Sequence, residues 1–242
     1  MRRIALSAVL SLMLASAAHA NASTHDAAST PILQRLETSL GAERFATWGG
    51  MRWTFEVTRG DTVRASRRHA WDRNSNRHRV EYLDRAGKRF VIVHTLGDST
   101  GAAWVDGTAL AGDTVRTLVR RGGALWRHDT YWFLMPFKLR DPGVQLAHIG
   151  KQADGRERLR ITFEGGGDTY HFDVDEQSGR IAYWQFHHEG ETRLETGTWE
   201  DWVNVDGVSF ATNHLREDGR TRVWTKDITR DDRLPAALFE AP

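Results

Sequence analysis

The amino-acid sequence predicts a mainly β protein: a long antiparallel meander curled into an incomplete (half) barrel, with two helical segments covering the concave face. Three observations predict it. Apolar and polar residues alternate with period two over many short segments. Asp-Gly and similar pairs divide those segments at intervals of about ten residues. Only two stretches carry helical spacing instead. A meander of roughly ten to twelve strands cannot stay flat, because strand twist accumulates, so it must close, split or curl. There is no βαβ alternation and no repeated unit, which sets aside doubly wound sheets, propellers and solenoids.

The chain opens as a secretory signal. Met1-Arg2-Arg3 leads into an apolar run from Ile4 to Leu14 and a small-residue end, Ala18-His19-Ala20. The run is too short to span a bilayer as a helix, which needs ~20 residues. Cleavage after Ala20 leaves residues 21–30 as a flexible leader and 31–242 as a single half-barrel domain. The expected protein is exported, to the periplasm or beyond the cell, with no transmembrane segment in the mature chain. Arg2 and Arg3 leave with the signal, taking the formal charge from +1 to −1. That balance offers no general attraction to nucleic acid. There is no cysteine, so neither a disulfide nor a thiolate metal ligand is available. The core must hold the fold, and ten tryptophans supply much of it.

Thr30-Pro31 opens the first helix, expected over 31–46: Thr can cap, and Pro fits the first helical position. Leu33, Leu36 and Leu40 recur at helical spacing, with Gly41 as a break. Met51, Trp53, Phe55 and Val57 alternate with Arg52, Thr54, Glu56 and Thr58, so this strand has one buried and one wet face. Further strands are expected over 63–71, 77–83, 88–96 and 102–105. Phe90-Val91-Ile92-Val93 is apolar on both faces and needs cover on its second side. The second helix is expected over 113–135, with Gly122-Gly123 as a break. The stretch from Trp126 to Phe137 is the most apolar and aromatic of the mature chain. Asp141-Pro142-Gly143 is a turn. Strands follow over 158–164, 169–175, 181–188, 193–203, 208–215 and 221–229.

Motifs with chemistry are sparse. Gly97-Asp98-Ser99-Thr100-Gly101 matches G-x-S-x-G, but a strand rather than a helix is expected after it, so it reads as a hairpin turn. Asp168-Thr169-Tyr170-His171 matches D-x-x-H, yet His171 sits within an alternating strand far from the C-terminus. His187-His188-Glu189, joined by His171, Asp173 and Asp175, is the best metal candidate; neighbours along a strand point to opposite faces, so a solvated outer face is favoured. Arg64, Arg67, Arg68, Arg73, Arg77 and Arg79, with His69, His78 and Trp71, read as an outer sheet face with cross-strand pairing, or else a contact for anionic lipid head groups. No catalytic residue, metal ligand or cofactor is assigned.

The arrangement resembles the outer-membrane lipoprotein carrier superfamily, the LolA/LolB-like half-barrels: a signal peptide, an N-terminal helix, a long antiparallel meander and a mid-chain helix. The segment Tyr131-Trp132-Phe133-Leu134-Met135-Pro136-Phe137-Lys138-Leu139-Arg140-Asp141-Pro142-Gly143-Val144 resembles a family of exported bacterial proteins of unassigned function associated with the same fold. The resemblance implies an apolar concave side that holds an acyl chain or another apolar small molecule, and it implies no enzyme activity. From the residues themselves, Trp126, Tyr131, Trp132, Phe133, Met135 and Phe137 are too many apolar side chains for one face, so they form core or a ligand wall. Trp53 and Phe55, with Leu159, Ile161 and Phe163, would stand opposite. The alternatives are a metal- or serine-dependent hydrolase of the cell envelope and a non-catalytic module that pairs with an envelope protein.

Overall fold

The computed structural model describes residues 23–98, 100–240 and 242. Strand β1 (Thr24–His25) precedes helices α1 (Ser29–Leu40) and α2 (Ala42–Ala46). Next come β2 (Gly50–Arg59), β3 (Thr62–Asp72), β4 (Arg77–Leu83), β5 (Arg89–Thr95), β6 (Gly101–Val105) and β7 (Thr108–Ala109). The long helix α3 (Gly112–Leu134) runs into a 3-10 turn, Met135–Lys138. Then follow β8 (Val144–Lys151), β9 (Glu157–Phe163), β10 (Thr169–Val174), β11 (Ile181–His187), β12 (Glu195–Thr198), β13 (Glu200–Val205), β14 (Val208–Leu215) and β15 (Thr221–Arg230), and a second 3-10 turn at Ala236–Phe239.

Nine strands form one sheet in the order β13-β14-β15-β2-β3-β4-β5-β6-β7, and six form another in the order β1-β8-β9-β10-β11-β12. Neither closes on itself; an isolated bridge between Gly197 and Arg216 ties one to the other. α3 packs on β4, β5 and β6 of the large sheet, and one continuous core joins both sheets to α1, α2 and α3. This is the expected half-barrel with helical cover.

The local departures have local causes. The helix expected from residue 31 begins at Ser29: Ala28, not Thr30, holds the cap position, and the Ser29 N–H donates to Asp26 Oδ1 at 2.6 Å. Asp26 also accepts from the His148 N–H, which pins the segment beside β8. Thr24 and His25, inside the stretch read as a leader, pair in parallel with Gln145 and Leu146. The break at Gly41 is present, with φ +70°; a Cβ there would collide with the Gly207 carbonyl.

The break expected at Gly122-Gly123 does not occur, and α3 runs through both glycines. Gly122 serves packing instead. A Cβ there would lie 2.9 Å from Ile92 Cγ2 and 3.0 Å from His94 Cδ2, so only glycine lets the helix sit this close to β5. β8 was not among the expected strands. The strand expected over 193–203 is two strands, one in each sheet, changing over at the buried Trp199. The second apolar side of β5 is covered by the C-terminal tail: Phe239 packs with Ala70, Val91, Val93 and Trp104, flanked by Leu234 and Leu238. Arg79 Nη1 donates to the Leu238 carbonyl at 2.9 Å, holding the tail down.

Candidate functional site

All eleven residues expected to meet a ligand converge on the concave side. Trp53 and Phe55 of the large sheet, Leu159 and Ile161 of the small sheet, and Trp132, Phe133 and Met135 of the α3 region belong to one buried cluster. Trp126, Tyr131, Phe137 and Phe163 are partly buried against it. Alternation explains the sheet contributions, since Trp53 and Phe55 share one face and Leu159, Ile161 and Phe163 another. Aromatic contacts bridge the parts: Trp53 to Phe133 at 5.5 Å between ring centres, Trp132 to Trp184 at 4.9 Å. The expectation of an open concave cavity is modified. Side chains fill the space, with Phe55, Leu159 and Ile161 fully buried. Trp126 borders a cleft at the surface. The indole N–H groups of Trp48, Trp53 and Trp199 are buried with no acceptor among the described residues.

Between α3 and the large sheet lies a chain of buried polar side chains. Asp129 of α3 receives Arg67 through two bonds, Nε to Oδ2 at 2.5 Å and Nη2 to Oδ1 at 2.7 Å. His69 Nε2 lies 3.1 Å from Asp129 Oδ2, His69 Nδ1 lies 3.0 Å from His78 Nε2, and His78 Nδ1 lies 2.9 Å from His94 Nε2. These residues come from four elements, and strand register sets them side by side: Trp53 pairs with His69, Trp71 with His78, and His78 with His94. Trp53 stacks flat on His69 at 4.7 Å, and Trp126 stands edge-on to His78 at 4.9 Å.

The hydrogen-bond directions follow from chemistry. An ionised carboxylate only accepts, so His69 Nε2–H donates to Asp129. The lone pair on His69 Nδ1 then accepts from His78 Nε2–H, and His78 Nδ1 accepts from His94 Nε2–H. Burial works to raise Asp129, but hydrogen bonds from His128, His69 and Arg67 outweigh it and hold the carboxyl far below its usual range. Burial lowers all three ring pKa values. His78 falls furthest because both neighbours in the chain also repel its charge. His94 is favoured for protonation by the Thr95 and Gly122 carbonyls and by Asp98, less strongly than burial opposes it. It borders a cleft of about 510 Å³ with Asp98, Arg120, Trp126 and Arg127.

The basic cluster read as one outer face is therefore split in two. Arg67, His69, Trp71 and His78 face inward, whereas Arg68, Arg77 and Arg79 face outward. Of the outer group, Arg68 pairs across strands with Glu81, which also takes Arg89 from β5, whereas Arg79 bonds Glu81 along its own strand. The signal for the inner group was the strand parity, 67-69-71 against 68-70, together with Asp129 as the one acid inside the aromatic stretch.

The other candidates stay apart. Ser99 and residues 1–20 lie outside the described residues. Asp168 bonds His188 and the Tyr170 hydroxyl, not His171. Asp173 is held by Arg158 at 2.5 and 2.6 Å, and Asp175 accepts from Ser178. Among the described residues no group of three or more His, Asp or Glu is placed to hold a metal ion. None of their helices is long and apolar enough to cross a membrane.

A curved, open β surface with a helix across its concave side defines a half-barrel. Among solved structures, the chain is similar to a DUF1329 family protein from Desulfovibrio piger, at 13% identity and a TM-score of 0.50, covering 86% of this chain and 97% of that one. It is also similar to a LolA superfamily protein from Nitrosomonas europaea, at 13% identity and TM-score 0.48, over 87% of this chain and 96% of that one. A third neighbour is a putative outer-membrane lipoprotein-sorting protein domain from Vibrio parahaemolyticus, at 12% identity and TM-score 0.46, over 86% and 97%. At these identities the likeness is one of fold. No protein-family model and no curated relative matches the chain.

Proposed function

We propose that the protein is an exported binder of a lipid or similar apolar molecule, held on the concave face. The observation that carries this is the convergence of α3 and its 3-10 turn with apolar faces of both sheets in one aromatic-rich cluster. The helix end and turn form a lid: Trp132, Phe133 and Met135 close the interior when it is empty and wall the guest once the segment has moved aside. Burying a chain contributes about 0.8 kcal/mol per methylene, enough to offset displaced contacts once a dozen or so carbons are enclosed. The unpaired indole N–H groups favour a guest that brings acceptor oxygens, an ester or carboxyl, over plain hydrocarbon. The basic start and short apolar run of residues 1–20 support export.

The test is uptake of a fluorescent fatty acid by delipidated protein. Saturable binding is expected, weakened at least tenfold by Trp132→Ala in protein shown to remain folded. Absence of saturable binding between pH 5 and 8 would overturn the proposal.

A further inference from the structure

The Asp129–His69–His78–His94 chain is a costly thing to bury in an apolar core, and holding an apolar guest does not require it. Its consequence follows from counting protons. Each ring-to-ring contact, 3.0 and 2.9 Å, has room for one proton between its two nitrogens. With all three rings neutral, three protons serve three hydrogen bonds that all point towards Asp129, and His94 Nδ1 keeps its lone pair. A fourth proton fits. Bound at His94 Nδ1, it lets each ring pass its Nε2 proton to Nδ1 of the next, and His69 becomes an imidazolium donating to Asp129 with no hydrogen bond lost. A fifth does not fit, because two N–H groups would then face each other across a ring-to-ring contact. Three imidazoles in water hold six.

Other charged groups surround the chain on each packed element. Arg67 of β3 and His128 of α3 both bond Asp129, and Asp98 and Arg127 lie near His94. Beyond Arg67, Arg121 of α3 lies over Tyr82 of β4. His128 is mostly exposed in the closed arrangement and sits on the same helix as Asp129. Lifting α3 removes Asp129 from His69 and uncovers all three rings, since Gly122 rests directly on Ile92 and His94.

We propose that this chain is a proton-operated latch: raising α3 from the large sheet, the movement that opens the apolar interior, takes up at least two protons. The idea rests on the reading of the interior as a lipid site and names its regulation. Solvated imidazole has a pKa of about 6.5, so well below that pH the open-to-closed ratio should rise by at least about 100-fold per pH unit.

Hydrogen–deuterium exchange of the full protein, corrected for the intrinsic pH dependence of amide exchange, tests it. Protection of residues 112–134 should fall with a slope approaching 100-fold per unit between pH 5.5 and 4.5, while β2 to β5 stay protected. In His94→Gln the amide oxygen can accept from a protonated His78, so opening gains one proton and the slope should drop to about tenfold. An α3 equally protected from pH 7.5 to 4.5 overturns the latch, as does loss of protection in α3 and the strands together. Should His94→Gln not fold, nitrogen NMR of the wild-type rings decides: three neutral Nε2–H tautomers at pH 7.5 support the latch, and rings titrating near 6.5 in the closed protein overturn it. Exchange is read without ligand. Acid opening without uptake of the uncharged probe N-phenyl-1-naphthylamine defeats the lipid reading alone, and probe uptake with a pH-insensitive α3 defeats the latch alone.

Discussion

Asp129 on α3 and His69 on β3 share a hydrogen bond of 3.1 Å where neither side chain touches water. Arg67 completes the contact with two further bonds to the same carboxylate. The helix that covers the concave face is thus held to the sheet by a buried charge cluster as well as by apolar packing.

Removing one partner of such a cluster leaves an uncompensated charge inside. Asp129→Asn should destabilise the protein by about 3–5 kcal/mol, and Arg67→Met/Asp129→Leu should recover much of that loss, because the remaining groups are then uncharged. Urea unfolding of both variants at pH 7.5 checks it. Equal losses in the two would show that the charge is not what matters.

The pH dependence has a defined sign. His69, His78, His94 and His214 all have folded pKa values below their unfolded ones, His214 pushed down to about 3 by burial. The unfolded chain binds more protons, so the contribution is fully present above about pH 6.5 and is lost as pH falls towards the folded values. Each such histidine removes about 1.4 kcal/mol per pH unit in that window. Asp129 acts in the same direction at lower pH, since its folded pKa is also depressed. Urea midpoints at pH 7.5, 6.5 and 5.5 should decline, with little change above 7. A flat profile would contradict the buried neutral rings.

Two adjacent glycines should respond oppositely. Alanine gains about 1 kcal/mol over glycine in a helix interior. At Gly122 the new methyl meets Ile92 at 2.9 Å and His94 at 3.0 Å, so Gly122→Ala should cost a net 1–3 kcal/mol as the core is overpacked. At Gly123 the nearest atoms are 3.8 Å away, so Gly123→Ala should raise the melting temperature by a few degrees. Thermal melts of the two single variants decide; the same sign at both positions would count against the close helix–sheet contact.

Phe239 plugs the outer side of β5. Phe239→Ala should cost about 3–5 kcal/mol and expose Val91, Val93 and Trp104. Increased binding of a hydrophobic dye at the convex face, in protein retaining its β-sheet circular dichroism, is the expected signature.

Much of the architecture was legible beforehand because it depends on neighbours in sequence. Alternation at Met51 to Val57 marked both the strand and its buried face, and the doubly apolar Phe90 to Val93 correctly demanded a second cover. The two-sheet division was not legible: residues 193–203 read as one strand, and only packing of Trp199 against Phe172 and His214 turns the chain from one sheet to the other. Gly122-Gly123 misled for a similar reason. Propensity marks glycine as a helix breaker, while the tertiary contact requires one.

By itself the sequence determined that the chain forms strands, most with one apolar face and β5 with two, and two helical segments, because a period of two or of 3.6 is a property of the local backbone. Tertiary structure alone decided that His69, His78 and His94 stand in a row and end on Asp129. Those residues are separated along the chain, and hydrogen bonding depends on register and helix placement, neither of which periodicity specifies.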